Sequence, residues 1–307
     1  MALKDMYRTA LTGNKPVGVK LTITYEDGSS RDIDYTTAGI TERYGTNPHQ
    51  LFRLLVNDKY NFRVREVKTG KQGFSLTNVE DAVWATEFLK YCDGPACAVM
   101  KHENPCGGAA QSADVVSAFL KSWWVDWIAA FGSVVGFSRP ITKELAQLLV
   151  EKNPDGKTAK YFIEAVAAPG YEIGALDELA KRGDLRALEY DGFDKIPRYV
   201  GDTASPVIKT LPDADGMLSF EDRFLSRIRT DEDLLTPQIT RGDEVITGLG
   251  VVTKRHPTSQ ELRDLRYAWH AAYVLRSNAV AIFKDGVLIS PGTGQQDRVR
   301  AVNYAID

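Results

Sequence analysis

Cysteine is scarce in this chain, and its scarcity is informative. Only Cys92, Cys97 and Cys106 occur, with no Cys-x-x-Cys pair, which argues against a disulfide framework and against a four-cysteine zinc site. Long apolar runs are missing too. The uncharged stretch over residues 127–138 falls short of the ~20 residues that a membrane helix needs, and the Met1-Ala2-Leu3-Lys4-Asp5 start lacks the apolar segment of a secretory signal. A cytoplasmic, reducing compartment with no membrane contact is the expectation. Neither sign of charge is in excess: 38 Lys and Arg stand against 41 Asp and Glu, a net charge of −3, so no whole-chain footprint for nucleic acid is present. No internal repeat or low-complexity segment interrupts the sequence.

What is present is an ordinary globular balance, 43% hydrophobic and 26% charged, over 307 residues, enough for two domains or one large one. Val17, Val19, Leu21, Ile23 and Tyr25 alternate with polar residues up to Asp27-Gly28, and Ile33 and Tyr35 resume the alternation, which predicts an N-terminal hairpin. Thr77 with Glu80 forms a capping-box pattern ahead of Val79, Ala82 and Val83 at helical spacing. The apolar run 96–100 leads into Lys101-His102-Glu103-Asn104-Pro105-Cys106-Gly107-Gly108, with a helix expected from about Ser112, so this octet reads as a strand-to-helix loop. The apolar runs 133–137 and 161–168, each followed by a helical pattern (142–152 and 176–182), predict an α/β domain with a mainly parallel sheet. Residues 190–216 read as a linker, giving domains over 1–195 and 196–307. A strand at 245–252, a helix at 257–275, two strands within 279–290 and a final helix from about Gln295 follow.

The octet carries the strongest chemical signal. Lys101 beside His102 supplies a fixed cation next to a group that titrates near neutrality, a pairing suited to general-base work with oxyanion stabilisation, and Gly107 and Gly108 would let backbone approach a ligand. A plain polar turn is the alternative. His102-x-x-x-Cys106 around Glu103 shares a fragment with the zinc deaminase pattern, but no second cysteine follows and His102 adjoins Glu103 directly, so no metal is expected. Gly292-Thr293-Gly294-Gln295-Gln296-Asp297-Arg298 opens a helix whose free N–H groups, with Arg298, would suit an anion. His256 and His270 are expected to face solvent, and Trp123, Trp124 and Trp127 to lie in core or interface.

Taken in order, Arg43-Tyr44-Gly45-x-Asn47-Pro48-His49-Gln50, Lys101-His102-x-x-Pro105-x-Gly107, Ala168-Pro169-Gly170-Tyr171-Glu172, Val252-Thr253-Lys254, Ser277-Asn278-Ala279-Val280 and Gly292-x-Gly294-Gln295-Gln296-x-Arg298 closely resemble AICAR transformylase. That family is the formyltransferase part of the bifunctional purine-biosynthesis enzyme that also carries IMP cyclohydrolase. The resemblance implies two cytidine-deaminase-like α/β/α units without zinc, the second incomplete at the C-terminus, and a homodimer. It also implies transfer of the formyl group of 10-formyltetrahydrofolate, a co-substrate, to the 5-amino group of AICAR.

Residue by residue, the resemblance makes His102 the general base and Lys101 the transition-state cation, with Asn278 a further stabilising group. Arg43, Tyr44, His102, Gly132, Glu164, Asn278 and Arg298 fall where the family contacts AICAR, and Val299 falls beside the folate. Three departures stand out: only about forty residues precede Arg43, Pro291 precedes Gly292, and the family's chain runs on past Arg298 with further binding residues. The last helix ends with Val299, Val302, Ala305 and Ile306 still forming an apolar stripe, so the expectation is a stand-alone formyltransferase, truncated or completed by another polypeptide. A non-catalytic AICAR- or folate-binding relative, a partner subunit, and a formyltransferase using another donor are the competing readings.

Overall fold

The computed structural model describes residues 9–154, 156, 158–211, 216–235, 238–241, 244–247, 250–251 and 253–306. In chain order the first elements are β1 (Gly18–Thr24), β2 (Ser30–Thr37), β3 (Leu55–Val56), β4 (Arg63–Lys68) and α1 (Leu76–Leu89). There follow β5 (Cys97–Lys101), β6 (Asn104–Ala109), α2 (Val115–Trp123), α3 (Trp127–Ala130), β7 (Ser133–Phe137), α4 (Lys143–Leu149), β8 (Ile163–Ala168), α5 (Ala175–Ala180) and β9 (Arg186–Asp191). The rest are β10 (Val207–Thr210), β11 (Leu218–Glu221), β12 (Gln238–Arg241), β13 (Glu244–Thr247), α6 (Ser259–Val274), β14 (Val280–Lys284), β15 (Val287–Gly292) and α7 (Arg298–Ile306).

Two compact units result, one of Met1–Lys195 with Tyr267–Asp307, the other of Ile196–Arg266. This corrects the expected second domain over 196–307. Residues 267–307 return to the first unit because β15 pairs antiparallel with β6, Leu288 opposite Gly108. The expected linker is also corrected, since residues 207–210 form β10 and pair with β11. In the second unit β12 pairs with β13, and the Arg266 guanidinium holds the Asp231 carboxylate at 2.7 Å.

The large sheet of the first unit runs β14-β15-β6-β5-β7-β8-β9-β4. Only β7–β8 and β8–β9 are parallel, so the expected mainly parallel sheet is instead mixed. The reason is local. The octet is not a strand-to-helix loop; the chain reverses at His102-Glu103, and β6 runs back along β5. The strand after α2 therefore pairs with β5 in the antiparallel sense, Val99 opposite Val135. Gly107 accordingly faces protein and not ligand: a Cβ there would collide with the Ser122 carbonyl of α2.

Alternation along the strands builds a core on each face. Ala98, Met100, Val134, Ala165 and Leu188 pack under Val79, Ala82, Phe88 and Leu89 of α1 and under Tyr267, Ala271 and Val274 of α6. Cys97, Val99, Val135, Phe137 and Val166 face Val115 and Phe119 of α2, Leu145 and Leu149 of α4, and Leu179 of α5. Each fully buried Val, Leu, Phe or Met among these stabilises the fold by roughly 1.5–3 kcal/mol. Strands buried on both faces read as continuous apolar runs, which is why β5, β7 and β8 are visible in the sequence.

Three local expectations shift. The α1 cap is Ser75, not Thr77: Ser75 Oγ accepts the Asn78 N–H at 3.3 Å and Asn78 Oδ1 accepts the Ser75 N–H at 3.2 Å. His270 is buried, not solvent-facing, and stacks on Tyr91 with ring centroids 3.9 Å apart. Trp123 lies in the core, whereas Trp124 and Trp127 are exposed beside Ile128 and Phe131. In α7, Ala301 and Ala305 are buried, while Val299, Val302 and Ile306 are exposed. Among the described residues no helix is long and apolar enough to cross a membrane.

Candidate active site

One edge of the large sheet collects most of the singled-out residues. β5 ends there at Lys101, and β6 starts there at Asn104. Met100 lies opposite Val134 and Ser133 lies opposite Ile163, while Ala165 lies opposite Arg186, so β7, β8 and β9 all present their first residues at this edge. β14 begins and β15 ends at the same edge, Val280 opposite Gly292. The parallel strands therefore offer their amino ends here, although open α/β sheets ordinarily bind ligands at carboxyl ends.

At the centre is the β5–β6 turn. His102 (φ +55°) and Glu103 (φ +63°) both occupy the left-handed region, which costs a non-glycine residue on the order of 1–3 kcal/mol. Asp81 of α1 holds the turn: its carboxylate accepts the His102 N–H at 3.3 Å and the Glu103 N–H at 2.6 Å. Burial pushes the Asp81 carboxyl up, and these two hydrogen bonds pull it partway back. Burial, then the charges of Glu103 and Asp81, likewise push Glu80 up. The His102 side chain is exposed. Lys101 Nζ donates to the Phe131 carbonyl at 2.8 Å, which leaves ammonium hydrogens for a ligand and seats the cation beside Gly132.

The turn is stitched to the loops around β14 and β15. Thr293 Oγ1 lies 2.9 Å from Asn104 Oδ1, and the Arg276 guanidinium lies 3.4 Å from Glu103 Oε2. Asn278 is held in the same web, its side-chain amide donating to the Gln295 and Gln296 carbonyls at 3.0 and 3.2 Å. With both amide hydrogens committed, Asn278 offers a ligand only Oδ1, an acceptor. An oxyanion, which needs a donor, would compete with those two carbonyls for the amide hydrogens.

A second cluster surrounds Glu164. Asn78 Nδ2 donates to Glu164 Oε2 at 3.0 Å, and the guanidiniums of Arg43 and Arg186 approach the same oxygen to 3.8 and 4.0 Å. Arg43 is buried and lies 4.5 Å over the Tyr44 ring, yet its Nε has no hydrogen-bond partner among the described residues. Burial, with Arg43 adding, lowers Arg186 to about 10. Asn78 and Asp81 sit three residues apart on one helix, so their Cβ atoms are ~5–6 Å apart. The first two turns of α1 thus join the His102 turn to the Arg43–Glu164 cluster. Sequence reading missed Asn78, Asp81, Arg186 and Arg276; Asn78 and Asp81 lie off the Val79-Ala82-Val83 stripe and carried no signal of their own.

Not every motif converges. Arg298 and Val299 are exposed at the head of α7, where Asp297 Oδ1 already accepts the Arg300 N–H at 2.9 Å, and among the described residues no hydrogen bond or ion pair ties Arg298 to the other candidates. Pro169, Gly170 and Tyr171 follow β8 at the opposite edge, where Tyr171 donates to the Leu188 carbonyl at 2.6 Å. Thr253 and Lys254 fall in the second unit, and Val252 lies outside the described residues. Cys106 donates to the Val99 carbonyl and burial pushes its thiol up to about 12, so it is no thiolate nucleophile. Among the described residues no group of three or more His, Cys, Asp or Glu side chains could hold a metal ion.

The family model described as the AICARFT/IMPCHase bienzyme matches residues 23–307. The chain belongs to that family. Its relatives include bifunctional purine biosynthesis proteins PurH from Caldicellulosiruptor saccharolyticus, 32% identical over 291 residues, 92% of this chain and 50% of the relative. The PurH of Roseobacter denitrificans is 32% identical over 278 residues, 88% of this chain and 45% of the relative. That of Dinoroseobacter shibae is 31% identical over 314 residues, 99% of this chain and 52% of the relative. The chain therefore spans about half the length of the curated family members it matches.

Proposed function

We propose that this chain transfers the formyl group of 10-formyltetrahydrofolate to the 5-amino group of AICAR, a step of purine biosynthesis. The observation that carries the reading is the meeting, at one sheet edge, of Lys101, His102 and Asn278 with Arg43, Tyr44 and Glu164. AICAR's amine is a poor nucleophile because its lone pair is delocalised into the ring and carboxamide, so attack on the formyl carbon needs proton removal as the C–N bond forms. The exposed imidazole of His102 takes that proton. Negative charge develops on the former formyl oxygen, and the uncommitted hydrogens of Lys101 Nζ stabilise it; as the tetrahedral intermediate collapses, the bond between the formyl carbon and N10 of the folate breaks, and the His102 imidazolium returns its proton to that nitrogen, releasing tetrahydrofolate.

Asn278 Oδ1 accepts an N–H of the amine or carboxamide and so orients the nucleophile. The Arg43 guanidinium, with Nε uncommitted, grips the nucleotide phosphate, and Glu164 accepts a ribose hydroxyl. Arg298 adds charge from the head of α7. The flat ring system of the donor needs an apolar face; Phe131, exposed and stacked on Phe162 with centroids 4.6 Å apart, offers one next to Lys101, and the family resemblance sets Val299 beside the same donor. The direct test mixes the protein with AICAR and 10-formyltetrahydrofolate and follows tetrahydrofolate by absorbance. AICAR-dependent release supports the reading, and release without AICAR, or none, overturns it.

A further inference from the structure

We propose that Asp81 is a positioning residue for this reaction: by accepting the N–H groups of His102 and Glu103, its carboxylate fixes the turn that directs the imidazole. The inference rests on His102 acting as the base. Four observations carry it. His102 and Glu103 are the only adjacent pair of non-glycine residues with positive φ among the described residues, in a turn type that ordinarily selects Asn-Gly or Asp-Gly. Asp81 is buried, and among the described residues its carboxylate accepts hydrogen bonds from those two N–H groups alone. A buried carboxylate with no cation bonded to it opposes folding, so its presence needs a compensating purpose. Finally, the turn it holds is the piece that Asn104 and Glu103 tie to the Asn278 loop through Thr293 and Arg276.

The chemistry specifies the variant. Asparagine has nearly the shape of aspartate, but one of its two terminal groups is a donor, so Asp81→Asn can accept one of the two N–H groups and must set an NH2 against the other. Displacement of a reacting group by about 1 Å can reduce turnover up to ~100-fold. We expect Asp81→Asn to lower kcat roughly 10- to 100-fold while KM for AICAR stays nearly unchanged. Hydrogen exchange over residues 101–105 should quicken in the same variant.

Rescue separates positioning from simple structural support. In Asp81→Asn/Glu103→Gly the turn reads His-Gly, and glycine adopts positive φ without help. The double variant should therefore recover exchange protection and most of the lost kcat, measured against Glu103→Gly alone. Full turnover in Asp81→Asn overturns the proposal, and so does recovered protection without recovered kcat. Failure of the formyltransferase reading looks different, because the parent protein would then be inactive, while the exchange arm needs no substrate and still reports whether Asp81 holds the turn.

Discussion

Two hairpin turns in the large sheet place two successive residues at positive φ, and their sequences could hardly differ more. Between β14 and β15 the turn is Asp285-Gly286, with φ +52° and +76°. Between β5 and β6 it is His102-Glu103, with φ +55° and +63°. The first obeys local preference, since Asp-Gly is among the strongest signals for this turn. The second defies it and is held by a carboxylate from another element. Where local preference and fold disagree, the disagreement tends to sit at a functional site. Here it sits at the Lys101-His102 pair.

The largest expected effect breaks this comparison at its chemical end. Asparagine tolerates positive φ but cannot serve as a base near neutrality, so His102→Asn keeps the turn and removes the proton acceptor. Turnover should fall by about 10²- to 10⁴-fold with AICAR binding retained. Turnover close to that of the parent would dissociate the unusual turn from catalysis.

Next in size comes the second cluster, where the contrast is between catalysis and anchoring. Arg43→Ala should weaken AICAR far more than its dephosphorylated riboside, by roughly 1.5–3 kcal/mol of lost charge-assisted hydrogen bonding. Calorimetric titration with both ligands measures this directly. An equal loss for the two would move Arg43 away from the phosphate.

The comparison also explains what the sequence discloses. The Asp27-Gly28 hairpin, the apolar strands β5, β7 and β8, and the hairpin around Asp285-Gly286 were legible because pattern and structure agree there. The His102 turn was misread as a strand-to-helix loop because nothing in Lys-His-Glu-Asn announces a reversal; Asp81, twenty-one residues earlier, supplies it. That single error turned a mixed sheet into an expected parallel one. Family motifs located Arg43, Lys101, His102, Glu164 and Asn278, which do gather, but motif membership could not separate them from Tyr171, whose hydroxyl serves packing at the far edge. Asn278 shows the remaining gap: which of its amide atoms is available depends on the Gln295 and Gln296 carbonyls.

The ordinary turn should be sensitive in stability alone. A Cβ at Gly286 would lie 2.7 Å from the Ala110 carbonyl at φ +76°, so Gly286→Ala should destabilise the fold by about 1–3 kcal/mol in denaturant titration. Its kcat per folded molecule should match the parent's. A kcat loss exceeding the loss of folded protein would show that the two turns are coupled, against the contrast drawn above.

The smallest effect concerns pH, and its sign follows from Asp81. Burial raises the folded-state pKa of this carboxyl above its unfolded value of about 3.9. A group shifted this way contributes stability that is fully present below the unfolded pKa and is lost as pH rises through the folded one. Asparagine at 81 does not titrate. The Tm of Asp81→Asn relative to the parent should therefore climb as pH is raised from about 4, near the unfolded value, towards 7. Glu80 moves the same way, since the Asp81 charge contributes to its own upward shift and disappears in the variant. Scanning calorimetry of the pair across that interval provides the measurement. A Tm difference that instead falls with pH would mean that the two N–H bonds outweigh burial, making the carboxylate at position 81 a net source of stability and removing the trade between stability and turn geometry that distinguishes the His102 turn from the turn at Gly286.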